Sequence, residues 1–405
     1  MKRLLALTRA LSSARDAFRL LAYRKERIDH APGTPAAFDP LQQLARRLHP
    51  PVLGLRIDRI TEETPSVRTF RLVPDTRSGT LELAPFRAGQ YLSLRLPVET
   101  GWISRPYSIS STPREALEQG FYEVTIQRRD GGFFTRHVFD TWQTDTCIKA
   151  TGPHGLFYHD PLRDAPNLVA LAGGVGITPF RSIVPDLLEN ALDTSVILIH
   201  GVDRVEDAVF RTTFEALEGQ YGERFRYHLV CREPTSDPNV HAGLLSRDLI
   251  ERLTGAVTDR SFFVCGPPGL YRYLEEQMAD WNLPRRRVRI ESFGAVEDVT
   301  ALAGYPVEKA GETFTMRVHV ADATEEVPAA ADETLLSALE RAGLTPPSGC
   351  RSGTCGACDA LLLAGEVFIP PGQDGRRMAF RETGHVHPCM SYPLSDLELR
   401  IYRRA

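Results

Sequence analysis

The sequence predicts a multi-domain chain. A barrel or sandwich of short strands comes first, an α/β unit on a mostly parallel sheet follows, and a carboxyl-terminal segment is organised around cysteines. Three observations carry this. From residue 52, stretches such as VLGLRIDRI, VRTFRLV, YLSLRLP and YEVTIQR alternate in polarity and are separated by turn residues. From residue 167, apolar runs (NLVALAGG, SVILIHG, RFRYHLVCRE, SFFVCGPPG) alternate with helical stretches (AVFRTTFEALEG, LYRYLEEQMADW). That order implies parallel strands with ligands at their carboxyl ends. Three of the seven cysteines fall in CRSGTCGAC at 350–358, and a fourth, Cys389, follows 31 residues later.

Bulk properties narrow the function. A length of 405 residues fits two or three domains, and 42% hydrophobic content suffices for ordinary cores. A net charge of −4 argues against a nucleic-acid binder, which would carry a basic face. An odd cysteine count without a secretory signal disfavours a disulfide framework and favours thiols or metal ligation. The longest apolar runs fall short of a membrane span, so a cytoplasmic protein is expected.

Residues 1–30 stand apart. They carry eight Lys/Arg against three acids, hence +5. Leu4, Leu7, Leu11, Ala14, Phe18 and Leu21 recur at steps of three and four, which places them on one stripe of a helix. The expected role of the stripe is packing on the protein's own body. A basic amphipathic helix can also lie on an acidic membrane surface, peripheral to it, or dock on a partner. Residues 31–51, rich in Pro and Ala, read as a linker.

Two stretches of the β-rich segment can serve a cofactor. RPYSISST (105–112) gathers an Arg, an aromatic ring and several hydroxyls, groups that suit a phosphate, a flat ring system and a polar ring edge. GGFFTRHVFD (131–140) begins with two glycines that admit close backbone approach, and a following helix would point free N–H groups at an anion. Each alone is also compatible with a surface edge or a plain turn. In the α/β segment, NLVALAGGVGITPF runs from a buried strand through Gly173, Gly174 and Gly176 to a helix opened by Thr178-Pro179. A pyrophosphate needs that order of tight turn, close approach and helix N-terminus. It is not the usual G-x-G-x-x-G fingerprint. Cys265 in VCGPPG sits at another strand end, where a lone cysteine is usually a small apolar packer.

The cysteines are more specific. Structural zinc would more often use paired C-x2-C knuckles, and a bacterial four-iron run would be C-x2-C-x2-C-x3-C-P. Cys350, Cys355 and Cys358 with a remote Cys389 match the plant-type [2Fe-2S] spacing C-x4-C-x2-C. Gly349, Ser352, Gly353, Gly356 and Ala357 are small enough to let a tight loop aim backbone N–H groups at cluster sulfurs.

Taken in order, RPYSISS, GGFFT, TGPHGLF, AGGVGITPF, VCGPPG, ESFG and the four cysteines resemble the ferredoxin–NADP⁺ reductase superfamily over 52–294, with a plant-type ferredoxin domain fused over 313–405. The resemblance implies a flavin-binding antiparallel β-barrel (52–160), an α/β nicotinamide-binding domain with a parallel sheet (161–294), a linker (295–312) and an α+β, β-grasp-like ferredoxin domain (313–405). It implies that Arg105, Pro106, Tyr107 and Ser108 bind flavin, with Arg105 on phosphate. Gly131, Gly132, Phe133 and Thr135 would lie at the flavin pyrophosphate. Gly173, Gly174, Gly176, Thr178 and Gly266 would receive the nicotinamide dinucleotide. Ser108, Cys265 and Glu291 would shape hydride transfer, with Phe293 beside the flavin. His154 departs from the family's usual Phe or Leu and is expected to be an ordinary loop histidine. FAD is expected rather than FMN. The coenzyme is NADPH or NADH: Arg204 and Arg232 lean to NADPH, whereas Asp203 could accept a ribose hydroxyl.

The function so implied is electron transfer from NAD(P)H through flavin to the cluster and on to an acceptor protein, an oxygenase, desaturase or hydroxylase. The alternatives are a stand-alone flavin reductase or diaphorase with a peripheral cluster, and an electron-input subunit of a larger redox complex.

Overall fold

The computed structural model describes residues 2–30, 39–98, 101–191, 193–294, 296 and 298–402, and the side chains of 2–14 and 101 lie outside that set. The chain divides into two compact units, Met1–Arg47 and Leu48–Ala405. The expected amino-terminal helix is α1 (Lys2–Asp29). Leu4, Leu7, Leu11 and Ala14 of its stripe have side chains outside the described residues, while Phe18 and Leu21 are exposed at 72% and 61%. The linker expected over 31–51 is corrected in part. Residues 31–38 lie outside the described residues, but Pro40–Leu48 is a helix, α2. Its start is local chemistry: the Asp39 carboxylate accepts the N–H groups of Leu41 and Gln42 at 3.0 and 3.2 Å. Pro40 takes the first helical position, where a missing N–H is harmless. Among the described residues no helix is long and apolar enough to cross a membrane.

The second unit opens with six strands: β1 (Leu53–Thr64), β2 (Val67–Pro74), β3 (Tyr91–Val98), β4 (Gly101–Ser108), β5 (Tyr122–Gln127) and β6 (Cys147–His154). They pair antiparallel in the order β4-β3-β6-β1-β2-β5, and a bridge between Ile109 and Val124 joins the two ends into a barrel. Alternation decides what fills it: Leu55 and Ile57, Leu92 and Leu94, and Tyr122, Val124 and Ile126 share one core. Tyr91 and Ser93 alternate with Leu92 and Leu94, so they point out of the barrel, yet both are buried. Something covers that outer face. Between β4 and β5 lies α3 (Pro113–Gln119), started by a reciprocal cap in which Thr112 Oγ1 accepts from Glu115 N and a Glu115 carboxylate oxygen accepts from Thr112 N. Between β5 and β6 lies α4 (Phe133–Thr141).

The α/β part follows as β7 (Asn167–Gly173), α5 (Thr178–Asn190), β8 (Ser195–Val202), α6 (Arg211–Tyr221), β9 (Phe225–Cys231), β10 (Val240–Ala242), α7 (Arg247–Thr254), β11 (Arg260–Cys265), α8 (Pro268–Met278) and β12 (Val288–Glu291). All six strands are parallel, in the order β10-β9-β8-β7-β11-β12. Central β7 is buried from Leu168 to Gly173, as a parallel strand with both faces covered must be. Leu168, Ala170 and Ala172 join the core on one side of the sheet, and Val169 and Leu171 the core on the other.

The last part contains β13 (Thr313–Val320), β14 (Ala323–Ala330), α9 (Leu335–Arg341), β15 (Ala360–Ala364), β16 (Val367–Phe368), α10 (Met378–Glu382), β17 (His385–Val386), β18 (Tyr392–Pro393) and β19 (Leu397–Ile401). Its main sheet runs β14-β13-β19-β15-β17, and Leu335, Ala338 and Leu339 of α9 pack on Met316, Val318 and Leu399. Of the expected linker 295–312, residues 295 and 297 lie outside the described residues. The remainder is anchored, with Val299 and Tyr305 buried against Phe368 and Tyr392.

Candidate functional site

A cavity of about 900 Å³ opens between barrel and α/β part. From the barrel, Pro106, Tyr107, Ser108 and Thr135 line it. From the α/β part come Gly173, Gly174, Gly176, Thr178, Arg204, Arg232, Cys265 and Gly266, with Phe293 beyond β12. Thus most residues expected at the cofactors meet around one space. Arg105, Gly131, Gly132, Phe133 and Glu291 do not line it.

The floor exists because side chains are missing. A Cβ on Gly176 would stand 2.3 Å from the carbonyl oxygen of Cys265, and one on Gly266 would stand 3.2 Å from the backbone of Gly173. The loops after β7 and β11 therefore pack backbone to backbone, which leaves room for an extended anionic ligand at the N-terminus of α5. Gly174 adopts φ +52° with open space where a side chain would be. Its carbonyl accepts from His200 Nε2 at 3.0 Å. A carbonyl only accepts, so that nitrogen carries the proton and Nδ1 takes the Tyr227 hydroxyl at 3.1 Å. Burial lowers the His200 pKa to about 4. At the opposite edge, Tyr271 ties β11 to β12: its hydroxyl accepts from Gly266 N and donates to the Glu291 carbonyl.

On the barrel side, Thr135 Oγ1 accepts from Arg129 N at 3.1 Å and fixes the glycine turn against the first turn of α4. Ser108 Oγ is buried without a partner in the cavity wall, and Glu291 Oε2 is likewise buried and unpartnered. Burial pushes the Glu291 carboxyl and the Cys265 thiol well above their usual ranges. An unsatisfied hydroxyl facing a large cavity fits a flavin, whose ring edge supplies the missing polar partner. Arg105 departs from expectation. Its guanidinium donates to Ser104 O at 2.8 Å and lies 4.0 Å from Glu340 of α9, so it faces the carboxyl-terminal domain. Burial, and then the neighbouring Arg351 charge, lower its pKa to about 10.

At the rim, Arg232 pairs with Asp203 at 2.8 Å. Arg204 reaches Asp207 and Glu206 at 3.4 and 3.5 Å. Both arginines expected to meet a 2′-phosphate thus carry acidic partners.

The cluster loop lies against the outer face of the barrel. Ser93 Oγ donates to Gly349 O at 3.2 Å, and Ser104 Oγ meets Ser348 Oγ at 2.6 Å. This is what covers Tyr91 and Ser93. Cys350, Cys358 and Cys389 are buried, Cys355 is exposed, and none of the four forms a disulfide. Backbone N–H groups converge on their sulfurs: Ser352 and Cys355 on Cys350, Cys350 and Ala357 on Cys355, and Gly353 on Cys389, at 3.3–3.5 Å. Among the described residues no three side chains converge as a single metal ion would need. The thiols instead form two adjacent pairs, Cys350 with Cys355 and Cys389 with Cys358. A two-iron cluster held by four thiolates suits that division, and the N–H groups suit its sulfurs.

Sequence reasoning missed Tyr91, Ser93, Ser104, Glu340 and Ser348, whose importance arises only where the domains meet. Arg351 left a signal, a lone charge among the small residues of CRSGTC.

Comparison with known proteins agrees with this geometry. Residues 54–159 match the oxidoreductase FAD-binding domain, 170–276 the oxidoreductase NAD-binding domain and 318–394 the 2Fe-2S iron-sulfur cluster binding domain. The ferredoxin reductase component of 3-ketosteroid-9-alpha-monooxygenase from Mycobacterium tuberculosis is 31% identical over 353 residues, 85% of this chain and 94% of that protein. The glycine betaine monooxygenase reductase subunit of Chromohalobacter salexigens is 25% identical over 359 residues, again 85% and 94%. In fold, phthalate dioxygenase reductase superposes with a TM-score of 0.61 at 24% identity, over 87% of this chain and 98% of that one. The chain is an NAD(P)H-dependent oxidoreductase of FAD and [2Fe-2S]. It belongs to the ferredoxin–NADP⁺ reductase superfamily, among the reductase components that carry a carboxyl-terminal plant-type ferredoxin domain.

Proposed function

We propose that this chain is the reductase component of an oxygenase system, taking a hydride from NADH and handing single electrons to a separate oxygenase protein. The observation that carries the reading is the seating of the cluster loop on the barrel, through Ser93–Gly349 and Ser104–Ser348, beside the flavin cavity. Flavin, when bound, accepts two electrons together and releases them singly, the conversion a one-electron cluster requires. The chain's own residues do the rest. The glycine floor and α5 hold the dinucleotide, Ser108 orients the flavin edge, and Cys265 borders the space in which hydride moves, with the buried Glu291 carboxyl near it. Cys350, Cys355, Cys358 and Cys389 hold the cluster.

NADH is preferred because Asp203 and Arg232 neutralise one another at the rim, where a 2′-phosphate would find no free cation between them and would meet Asp203, Glu206 and Asp207. For α1, the +5 charge of 1–30 with exposed Phe18, Leu20 and Leu21 suits an anionic membrane surface on the cytoplasmic side. Deleting residues 1–30 then abolishes sedimentation with phosphatidylserine vesicles, and vesicle binding that survives the deletion refutes it.

The reductase reading is tested with Cys355→Ser. Ferricyanide reduction by NADH persists, whereas reduction of the oxygenase partner is lost. A variant that still feeds its oxygenase would leave the cluster peripheral and make the chain a flavin reductase.

A further inference from the structure

Tyr91 stands between the two redox sites. It is 1% exposed although its place on β3 points it out of the barrel, and its hydroxyl has no nitrogen or oxygen partner. The missing partner is beside it in the other domain. A Cβ on Gly349 would lie 3.6 Å from the Tyr91 hydroxyl and 3.1 Å from Cys355 Sγ, so the phenol and the thiol face one another across the gap that this glycine leaves open. The ring also meets Phe293 edge-on at 5.3 Å between centroids, and Phe293 in turn lines the redox cavity. Ser93, two residues on and therefore on the same face of β3, pins Gly349 O at 3.2 Å and holds the loop at this distance.

We propose that Tyr91 is a positioning residue for the iron–sulfur centre, a hydrogen-bond donor supplied by the barrel to the Cys355 thiolate. Backbone N–H groups of Cys350 and Ala357 already point at that sulfur from within the loop. Tyr91 adds a donor that exists only when the ferredoxin domain is docked. A donor at a ligand sulfur stabilises the more negative, reduced state, so docking raises the cluster's potential and makes it a better acceptor from the flavin. Undocked, the cluster would hold its electron less tightly.

This rests on the reading that Cys355 ligates the cluster, and the test separates the two. Tyr91→Phe removes one oxygen and keeps the ring. In the full-length, fully loaded protein, iron and flavin content stay at parent level. The cluster's midpoint potential falls, its EPR g-values shift, and the reduced fraction at a fixed NADH/NAD⁺ ratio drops several-fold. Ser93→Ala, which keeps the phenol and loosens the latch, separates the two: its cluster signal shifts less than that of Tyr91→Phe, and an equal or larger shift assigns the effect to the latch and overturns the role of the hydroxyl. A Tyr91→Phe protein with parental potential and EPR spectrum overturns the inference. Iron that stays bound in Cys355→Ser at full stoichiometry, with an unchanged spectrum, overturns the ligand reading instead.

Discussion

Arg351 lays its guanidinium along the Glu340 carboxylate at 2.6 and 2.9 Å, and both side chains are buried. The pair joins α9 to the cluster loop, and the same guanidinium reaches Ser104 O on the barrel at 3.5 Å. Removing one partner strands the other charge in a poorly solvated junction. Glu340→Gln is therefore expected to destabilise the carboxyl-terminal domain by about 3 kcal/mol. Urea titration followed by the cluster's visible absorption would register it as an earlier loss of the cluster.

Gly176→Ala pushes a methyl group into the Cys265 carbonyl, which a Cβ would approach to 2.3 Å. Backbone cannot swing aside as a long side chain can. The loops after β7 and β11 must separate, and the dinucleotide floor loses its shape. NADH affinity is expected to fall about tenfold or more, in line with overpacking costs of roughly 1–3 kcal/mol, while flavin content is kept. Equilibrium binding of NAD⁺ to the flavin-loaded variant reads this directly.

Buried His200 gives a pH signature. Its folded pKa, about 4, lies below the ordinary 6.5 because burial disfavours the imidazolium. Between those values the unfolded chain binds the extra proton and the folded chain does not, so stability is complete above pH 6.5 and drains away as pH falls toward 4. The loss attributable to this one group is about 3 kcal/mol. His200→Phe should flatten that part of the profile relative to the parent, as seen by denaturant melts at pH 7.5 and pH 4.5.

The proposed preference for NADH makes Asp203 and Arg232, paired at 2.8 Å on the cavity rim, the pair to test. Asp203→Ala frees the guanidinium and removes a carboxylate that a 2′-phosphate would face. The ratio of kcat/KM for NADPH over NADH should rise at least tenfold, about 1.4 kcal/mol, and Arg232→Ala should lower NADPH use without raising the NADH KM comparably. Steady-state kinetics with both coenzymes settles it.

How much of this was written in the sequence depends on the range of the interaction. The proposed cluster cysteines were legible because C-x4-C-x2-C is a local spacing that one tight loop imposes. The glycines at 173, 174 and 176 were legible because strand, turn and helix follow one another without a break. Helix α2 was hidden by its Pro and Ala neighbours, although Asp39-Pro40 is a local start signal. The cover over Tyr91 and Ser93 was not legible at all. It depends on segments 244 to 256 positions apart meeting, and an outward serine on a strand looks the same whether solvent or another domain lies above it. Arg105 shows the same limit: its motif points to a phosphate, while its side chain turns toward Glu340 on a helix that no local pattern connects to it.

Electrons take one internal route, from nicotinamide through flavin to the cluster, under the proposed function. It is tested most directly by adding NADH, and separately NADPH, to the purified protein under anaerobic conditions and following visible absorption and EPR. The expected result is bleaching of the flavin band together with a rhombic half-spin signal from the reduced cluster, at lower concentrations of NADH than of NADPH. Flavin bleaching with a silent cluster, in protein that carries its full iron, would contradict it.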